Sequence, residues 1–410
     1  MQCTLDHLSS AIPTDCPAVL GAPTSVAAAL ADLPDPRRHA SVTSALPAIL
    51  ALAIAALLCN HRSVLAIAQW GQRQTPETLC RLGFPTGRVP CQSTLQRLFA
   101  KLDGAALAAV LAAHFAPAAR PLPIPAEPQG VRIDGKAQRG RLRFRPGGCP
   151  VHALTAFCHD QGVVLAHEPI DPATAPDEKH EAELTVAPAL IAQLSWAGRV
   201  LTGDARFCQR NLCQQVLAAD GHSLLIVKDN QAQLHADIQL LFDPPAEDMP
   251  LPLMDRREAT TLERGHGRQD DRRHLTASTD LTEYLDWPGL AQGFRLERTW
   301  RVHGQTKCEV HYGITSLPPH LGPPDRLLTL KRGHWAIENQ LHWVKDVILG
   351  EDASLIHQGQ GPTVLAVFRE TALSLLRRAG VRQIAARLRD HAQQPEPALA
   401  LLFNPPPTHA

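Results

Sequence analysis

At 410 residues the chain is longer than one small core requires, and two or three domains are expected. Forty Lys and Arg balance forty Asp and Glu, so no global positive field marks a nucleic-acid partner, although a neutral whole can still carry local basic faces. Only seven of the basic residues are Lys, and beside abundant Ala and Pro that bias reads as a GC-rich coding sequence, not as a binding signal.

The ten cysteines include no Cys-x-x-Cys pair, which argues against a short-spaced zinc site and predicts free thiols in a reducing cytoplasm. No basic region followed by an apolar run opens the chain, so no signal peptide is expected. The most apolar stretch, 45–59, has fifteen residues. A bilayer span needs about 20, so this stretch reads as a buried helix.

Residues 1–34 are rich in Ala, Pro and Leu without periodicity and read as a poorly ordered leader. From 35 to 117 the pattern is helical, with helices expected over 45–59, 64–72, 77–82, 94–102 and 105–115. Ser93 stands where an N-cap belongs. Arg97 and Lys101 then share one face at i, i+4. A helix-turn-helix uses such a face on DNA, and a solvated face on a packed bundle carries the same signature.

A Pro-rich linker, 117–128, precedes a change of character. A strand at 131–134 ends on Asp134, and strands at 151–158 and 163–170 follow, joined by a hairpin turn at 159–162. A helix (181–194), a strand ending on Asp204 (199–204), a helix (209–219), a strand (223–227) and a helix (231–242) complete the order β-β-β-α-β-α-β-α. That order resembles the RNase H-like fold, a mixed sheet flanked by helices, in which the first and fourth strands lie side by side. Two carboxylates seventy residues apart in sequence would then point at one spot.

Strand-like segments at 257–263, 272–277, 294–302 and 308–314 read as a β-rich inserted subdomain spanning about 250–320. Helices are expected over 327–349 and 363–378, with a C-terminal tail, 381–410, disordered from 393. In the first of these helices Ile337, Leu341, Val344 and Ile348 form a buried stripe. Trp335, Glu338, His342 and Lys345 form a neighbouring one, which an ordinary amphipathic helix with an exposed Glu would also show.

Three segments carry the chemistry: Val-Arg-Ile-Asp-Gly-Lys-Ala-Gln-Arg at 131–139, Val-Leu-Thr-Gly-Asp-Ala-Arg-Phe-Cys-Gln at 200–209, and Gly-His-Trp-Ala-Ile-Glu-Asn-Gln-Leu-His-Trp-Val-Lys-Asp at 333–346. They resemble the catalytic segments of DDE insertion-sequence transposases, in particular the H-repeat-associated (ISAs-one type) group. Asp177-Glu178-Lys179 with Glu183, Val227-Lys228 with Asn230-Gln231, His266-Gly267-Arg268 and Glu351-Asp352 fit the same group. The resemblance runs from about residue 35 to 378.

The resemblance implies an RNase H-like catalytic domain over 129–380 behind a helical N-terminal domain. It also implies DNA cleavage and strand transfer at the ends of a bacterial insertion sequence. It further implies two Mg²⁺ ions about 4 Å apart, with Mn²⁺ as a substitute, which would activate the attacking oxygen and stabilise the leaving one. Hard cations take oxygen ligands, so Asp134 would bridge both ions while Asp204 and Glu338 hold one each. Lys345 falls where the superfamily places a phosphate-holding Lys, although the closer group more often has an apolar residue there; Lys331 and His334 occupy its Tyr and Arg positions, and Arg332 would supply the missing guanidinium. Trp335 and His342 flank the last acid. Lys136, Arg206 and Lys228 read either as phosphate contacts or as plain surface charge, and His266 and Arg268 either as a backbone approach to DNA or as a turn. The expected partners are double-stranded DNA, as terminal inverted repeats and target, and a second copy of the chain, in the cytoplasm at the nucleoid. A catalytically dead DNA-binding remnant, or an RNase H-like nuclease that cuts without rejoining, would share most of these features.

Overall fold

The computed structural model describes residues 24–38, 42–115, 127–137, 152–170, 179–244, 255–265, 268–302 and 304–404. Two compact units divide the chain: one gathers the helices up to Phe115 with everything from Val344 onward, and the other runs through Trp343.

In the first unit, α1 (Val26–Ala29), α2 (Leu46–Leu58), α3 (Val64–Gln72), α4 (Pro76–Arg81), α5 (Gln92–Lys101) and α6 (Gly104–Phe115) follow one another. Local chemistry sets their starts. Ser63 Oγ accepts from the Ala66 amide at 3.1 Å to cap α3. Thr75 caps α4, and Pro76 sits in its first turn, where a missing N–H costs nothing. The stretch expected as a loose leader is partly built in: Ser25 caps α1, and Val26, Ala27 and Leu30 are buried. Helix α5 begins at Gln92 behind Cys91, so Ser93 lies inside the first turn and is not the cap the sequence suggested.

The second unit contains β1 (Gln129–Ala137), β2 (His152–Cys158), β3 (Val163–Ile170), α7 (Lys179–Ala192), β4 (Arg199–Gly203), α8 (Arg210–Ala218), β5 (His222–Val227) and α9 (Ala232–Phe242). Four long strands follow: β6 (Arg257–Gly265), β7 (Arg268–Ser278), β8 (Gln292–Val302) and β9 (Gln305–Thr315). Then comes α10 (Pro324–Ile337). All nine strands join one mixed sheet in the order β3-β2-β1-β4-β5-β9-β8-β7-β6. The segments expected as a separate β subdomain therefore extend the main sheet. Strand β9 pairs antiparallel with β5 from Leu224↔Thr315 to Val227↔Tyr312, covering an edge that would otherwise expose a buried strand.

Alternation along the strands assigns the faces. Val131, Ile133, Leu201, Leu225 and Val227 pack with Ala187, Leu190 and Ile191 of α7, Leu212 and Val216 of α8, and Leu234 and Ile238 of α9. Val200, Leu224 and Ile226 turn the other way, toward Leu327, Leu328 and Leu330 of α10. The helix expected over 327–349 changes character at Glu338, where two π-helical stretches follow, Glu338–His342 and Val344–Ile348. Ile337, Leu341, Val344 and Ile348 are buried as the stripe predicts.

Returning to the first unit, α11 (Gly361–Arg378), α12 (Ile384–Gln393) and α13 (Glu396–Phe403) close the chain. Helices α2 and α11 are buried nearly all round, and such helices must be enclosed by others: α11 packs on α2, α5, α6 and α13. The expected disordered tail is thus helical as far as Phe403, with Leu399, Leu402 and Phe403 buried. Its prolines mislead the composition reading, because Pro395 and Pro397 stand at the helix start, where proline is tolerated. Among the described residues six cysteines are free thiols, whereas Cys80 is disulfide-bonded, contrary to the all-thiol expectation. Among the described residues no single helix is long and apolar enough to cross a membrane.

Candidate active site

The two aspartates flank the parallel β1–β4 pairing at the same level: Asp204 follows the end of β4, whereas Asp134 lies within β1, which does not end there as expected but runs on to Ala137 and pairs Asp134 with Thr155 of β2. The β1–β4 register pairs Val131 with Leu201 and Arg132 with Thr202, so Asp134 and Asp204 each stand two residues past the last paired position. Strand alternation turns Asp134 toward the α10 face, opposite to the buried Ile133. Its Oδ2 accepts from Arg132 Nη2 at 3.2 Å and lies 3.7 Å from His342 Nδ1, while its Oδ1 accepts from the Gly135 amide at 3.1 Å. Asp204 N-caps a 3-10 turn, with Oδ1 accepting from the Arg206 amide at 3.1 Å. That cap explains why an acid follows β4 directly: its side chain satisfies an amide that the short turn leaves open.

Glu338 begins the π-helical stretch that ends at His342, and α10, which leads into it, packs on β1, β4 and β5. Within that stretch His342 reaches Asp134, and its carbonyl accepts from Lys136 Nζ at 3.3 Å. Glu338 stands four residues before His342 in this stretch. Its side chain, like those of His334, Trp335 and Arg268, lies outside what the structure describes, as does all of His266.

Close backbone approach fits α10 to β1. The His159 ring fills the space where a Cβ would stand at both Gly130 and Gly333, so glycine is required on strand and helix alike. Arg326 fastens the start of α10, donating from Nη2 to the Pro128 carbonyl at 2.5 Å.

The cations divide into two groups. Lys136 is held on the His342 carbonyl, and Arg206 Nη1 lies 3.8 Å from Asp204 Oδ2. Lys228 is exposed just beyond β5. Burial, then the neighbouring Arg132, push the Lys331 amine down to about 8, with Asp204 pulling the other way. Arg332 instead forms an ion pair with Glu263 of β6. In the other unit, Arg97 and Lys101 are exposed on α5 as expected.

Lys345 departs from its expected phosphate contact. It is 3% exposed, with Nζ 2.6 Å from Glu370 Oε1 and 3.4 Å from Glu351 Oε2. An amine held by two buried carboxylates is not presented to DNA. The expectation rested on the family position seven residues after Glu338; here the second π-helical stretch carries that position into the core beside Glu351 and Glu370.

Two side chains that sequence reasoning did not assign belong to the site. Arg132, buried between two apolar strand residues, orients Asp134. Glu183 of α7 is 2% exposed; its Oε2 lies 3.7 Å from Arg206 Nη1, and its carboxylate occupies the space a side chain at Gly135 would need. The signal was present, because Glu183 falls on the apolar stripe of Ala187, Leu190 and Ile191 at i, i+4, i+7 and i+8, where an acid is out of place unless paired.

Among the described residues no group of three His, Cys, Asp or Glu side chains forms a ready metal cage. Asp134 and Asp204 offer partly exposed carboxylates, 22% and 42%, an oxygen donor chemistry that fits a hard divalent cation.

Residues 140–375 match the transposase DDE domain family, and residues 27–115 match the DDE_Tnp_1-associated family that accompanies it. The chain belongs to the DDE transposase family. "Putative transposase YncI" of Escherichia coli O157:H7 is 26% identical over 357 residues, which is 84% of this chain and 85% of that one. "H repeat-associated putative transposase YhhI" of Escherichia coli K12 is 26% identical over 253 residues, 60% of this chain and 63% of that one. "Uncharacterized protein in dhlA 3'region" of Xanthobacter autotrophicus is 29% identical over 69% of this chain and 92% of that one. Among solved structures, a piggyBac transposase synaptic complex with hairpin DNA aligns at 10% identity with a TM-score of 0.37, covering 91% of this chain and 78% of that one, a likeness too distant to argue from.

Proposed function

We propose that the protein is an insertion-sequence transposase whose RNase H-like core cleaves DNA at the ends of its element and joins the freed 3′ end to target DNA. The observation that carries this reading is the β1–β4 register, which sets Asp134 and Asp204 at the same level on adjacent parallel strands. Asp134, Asp204 and Glu338 would hold Mg²⁺, or Mn²⁺ in its place. Once bound, such ions lower the pKa of an attacking water or hydroxyl and neutralise charge on the phosphate.

The chain's own residues do the rest. Arg132 fixes the Asp134 carboxylate, and His342 lies near the same oxygen. Lys136, Arg206 and Lys228 supply positive charge for the DNA backbone; so does the exposed Arg97–Lys101 face, as a DNA-reading surface of the N-terminal helices. Two copies acting on two element ends, in the cytoplasm at the nucleoid, complete the proposal.

The test is to incubate the purified protein with Mg²⁺, linear DNA carrying the element's terminal repeat, and a supercoiled target. Nicking at the repeat followed by joined products is expected. Cleavage without joining would reassign the protein as a nuclease, and binding without cleavage as a non-catalytic remnant.

A further inference from the structure

The buried Glu183 carboxylate is the acid at this site with no part in the proposed chemistry. It approaches from α7, packs over Gly135, the residue after Asp134, and shares Arg206 with Asp204. The two acids differ in setting, since the Glu183 side chain is 3% exposed and that of Asp204 42%. A carboxylate taken out of water is costly unless a cation attends it, so the stronger claim on Arg206 is that of Glu183.

We infer that Glu183 is a positioning residue: it holds the Arg206 guanidinium back from Asp204, so that the aspartate stays available to a divalent cation. The inference rests on the reading of Asp204 as a metal-holding residue. Without the Glu183 charge, Arg206 closes onto Asp204 as its remaining anionic partner, and a guanidinium seated there competes with the metal. Glu183 thus acts through Arg206 and not as a ligand. The distinction is measurable, because an effect carried by Arg206 vanishes when Arg206 is removed.

The experiment is Mn²⁺ binding to the full-length protein without DNA, followed by the electron paramagnetic resonance signal of free Mn²⁺. Glu183→Gln is expected to weaken binding about fivefold, the size of one close charge pair in solvent-rich surroundings. Arg206→Ala, a change at a 41% exposed side chain, is expected to bind Mn²⁺ at least as tightly as wild type. In the Arg206→Ala background, Glu183→Gln should change the affinity by less than about twofold. An undiminished loss in that background, or weaker binding by Arg206→Ala alone, overturns the inference. Arg206→Ala decides the matter even if the Glu183 variant does not fold. Asp204→Asn separates the two levels. If it abolishes Mn²⁺ binding while Glu183→Gln has no effect, the inference alone falls; if it binds Mn²⁺ as wild type does, the metal-site reading falls too.

Discussion

Replacing Lys345 with Met tests whether this residue serves DNA or the fold. Its amine lies 2.6 Å from Glu370 and 3.4 Å from Glu351, and Arg369 Nη1 lies 3.8 Å from Glu351, all four side chains being 4% exposed or less. Burial pulls the Lys345 amine down, but Glu351 and Glu370 outweigh it and hold its pKa above the ordinary lysine value. Lys345→Met keeps an unbranched side chain and leaves two buried carboxylates to one guanidinium. Breaking a buried pair from one side costs about 3–5 kcal/mol, and at 2–4 °C per kcal/mol the melting temperature of this unit should fall by roughly 6–20 °C. The double variant Lys345→Met/Glu370→Met removes both partners and should recover most of that loss. The sign of the pH dependence follows from the raised pKa. The contribution is complete below the unfolded lysine value of about 10.4 and is lost as pH rises through the higher folded value, so the gap between wild type and variant narrows only above about pH 10.4. Calorimetric melting with a DNA-binding titration is the assay. A Lys345→Met protein that melts like wild type but binds element-end DNA more weakly, with a shallower salt dependence, refutes the structural role.

Three further outcomes are expected. Gly333→Ala should destabilise the second unit by about 1–3 kcal/mol because its methyl meets the His159 ring, and His159→Ala in the same chain should relieve the clash; denaturant unfolding of both variants checks this. Gly135→Ala drives a methyl into the Glu183 carboxylate and should cost a similar amount, followed through the fluorescence of the buried Trp196; a neutral result would mean that Glu183 does not sit over β1. Truncation after Gln394 removes the buried Leu399, Leu402 and Phe403, each contributing about 1.5–3 kcal/mol, and should lower the melting temperature sharply; no change would restore the tail to a disordered segment.

Much of this arrangement was legible in the sequence because strand ends and helix faces follow short-range periodicity. The order of the first eight core elements and the buried stripe of Ile337, Leu341, Val344 and Ile348 follow from such patterns, whereas the β1–β4 neighbourhood of Asp134 and Asp204 came from the resemblance to the RNase H-like fold. Long-range partnership was less visible. Nothing local in β9 says that it pairs with β5 and so joins the inserted strands to the main sheet. Lys345 was misplaced because the π-helical turns are set by packing and not by propensity. Glu183 stood out as part of the family pattern and as an acid on an apolar stripe, but its partner Arg206 comes from a turn beyond the next strand. The C-terminal helix was hidden by composition, since prolines that start a helix look like prolines that prevent one.

The central claim is that Asp134 and Asp204 together hold the metal that supports strand cleavage. The most direct measurement compares wild type with Asp134→Asn and Asp204→Asn for Mg²⁺-dependent nicking of terminal-repeat DNA, with DNA affinity measured on the same samples. Each substitution should reduce nicking to background while leaving the affinity for the repeat within about twofold, because a neutral amide keeps the shape of the carboxylate but not its charge. Nicking by either variant at the wild-type rate would contradict the assignment.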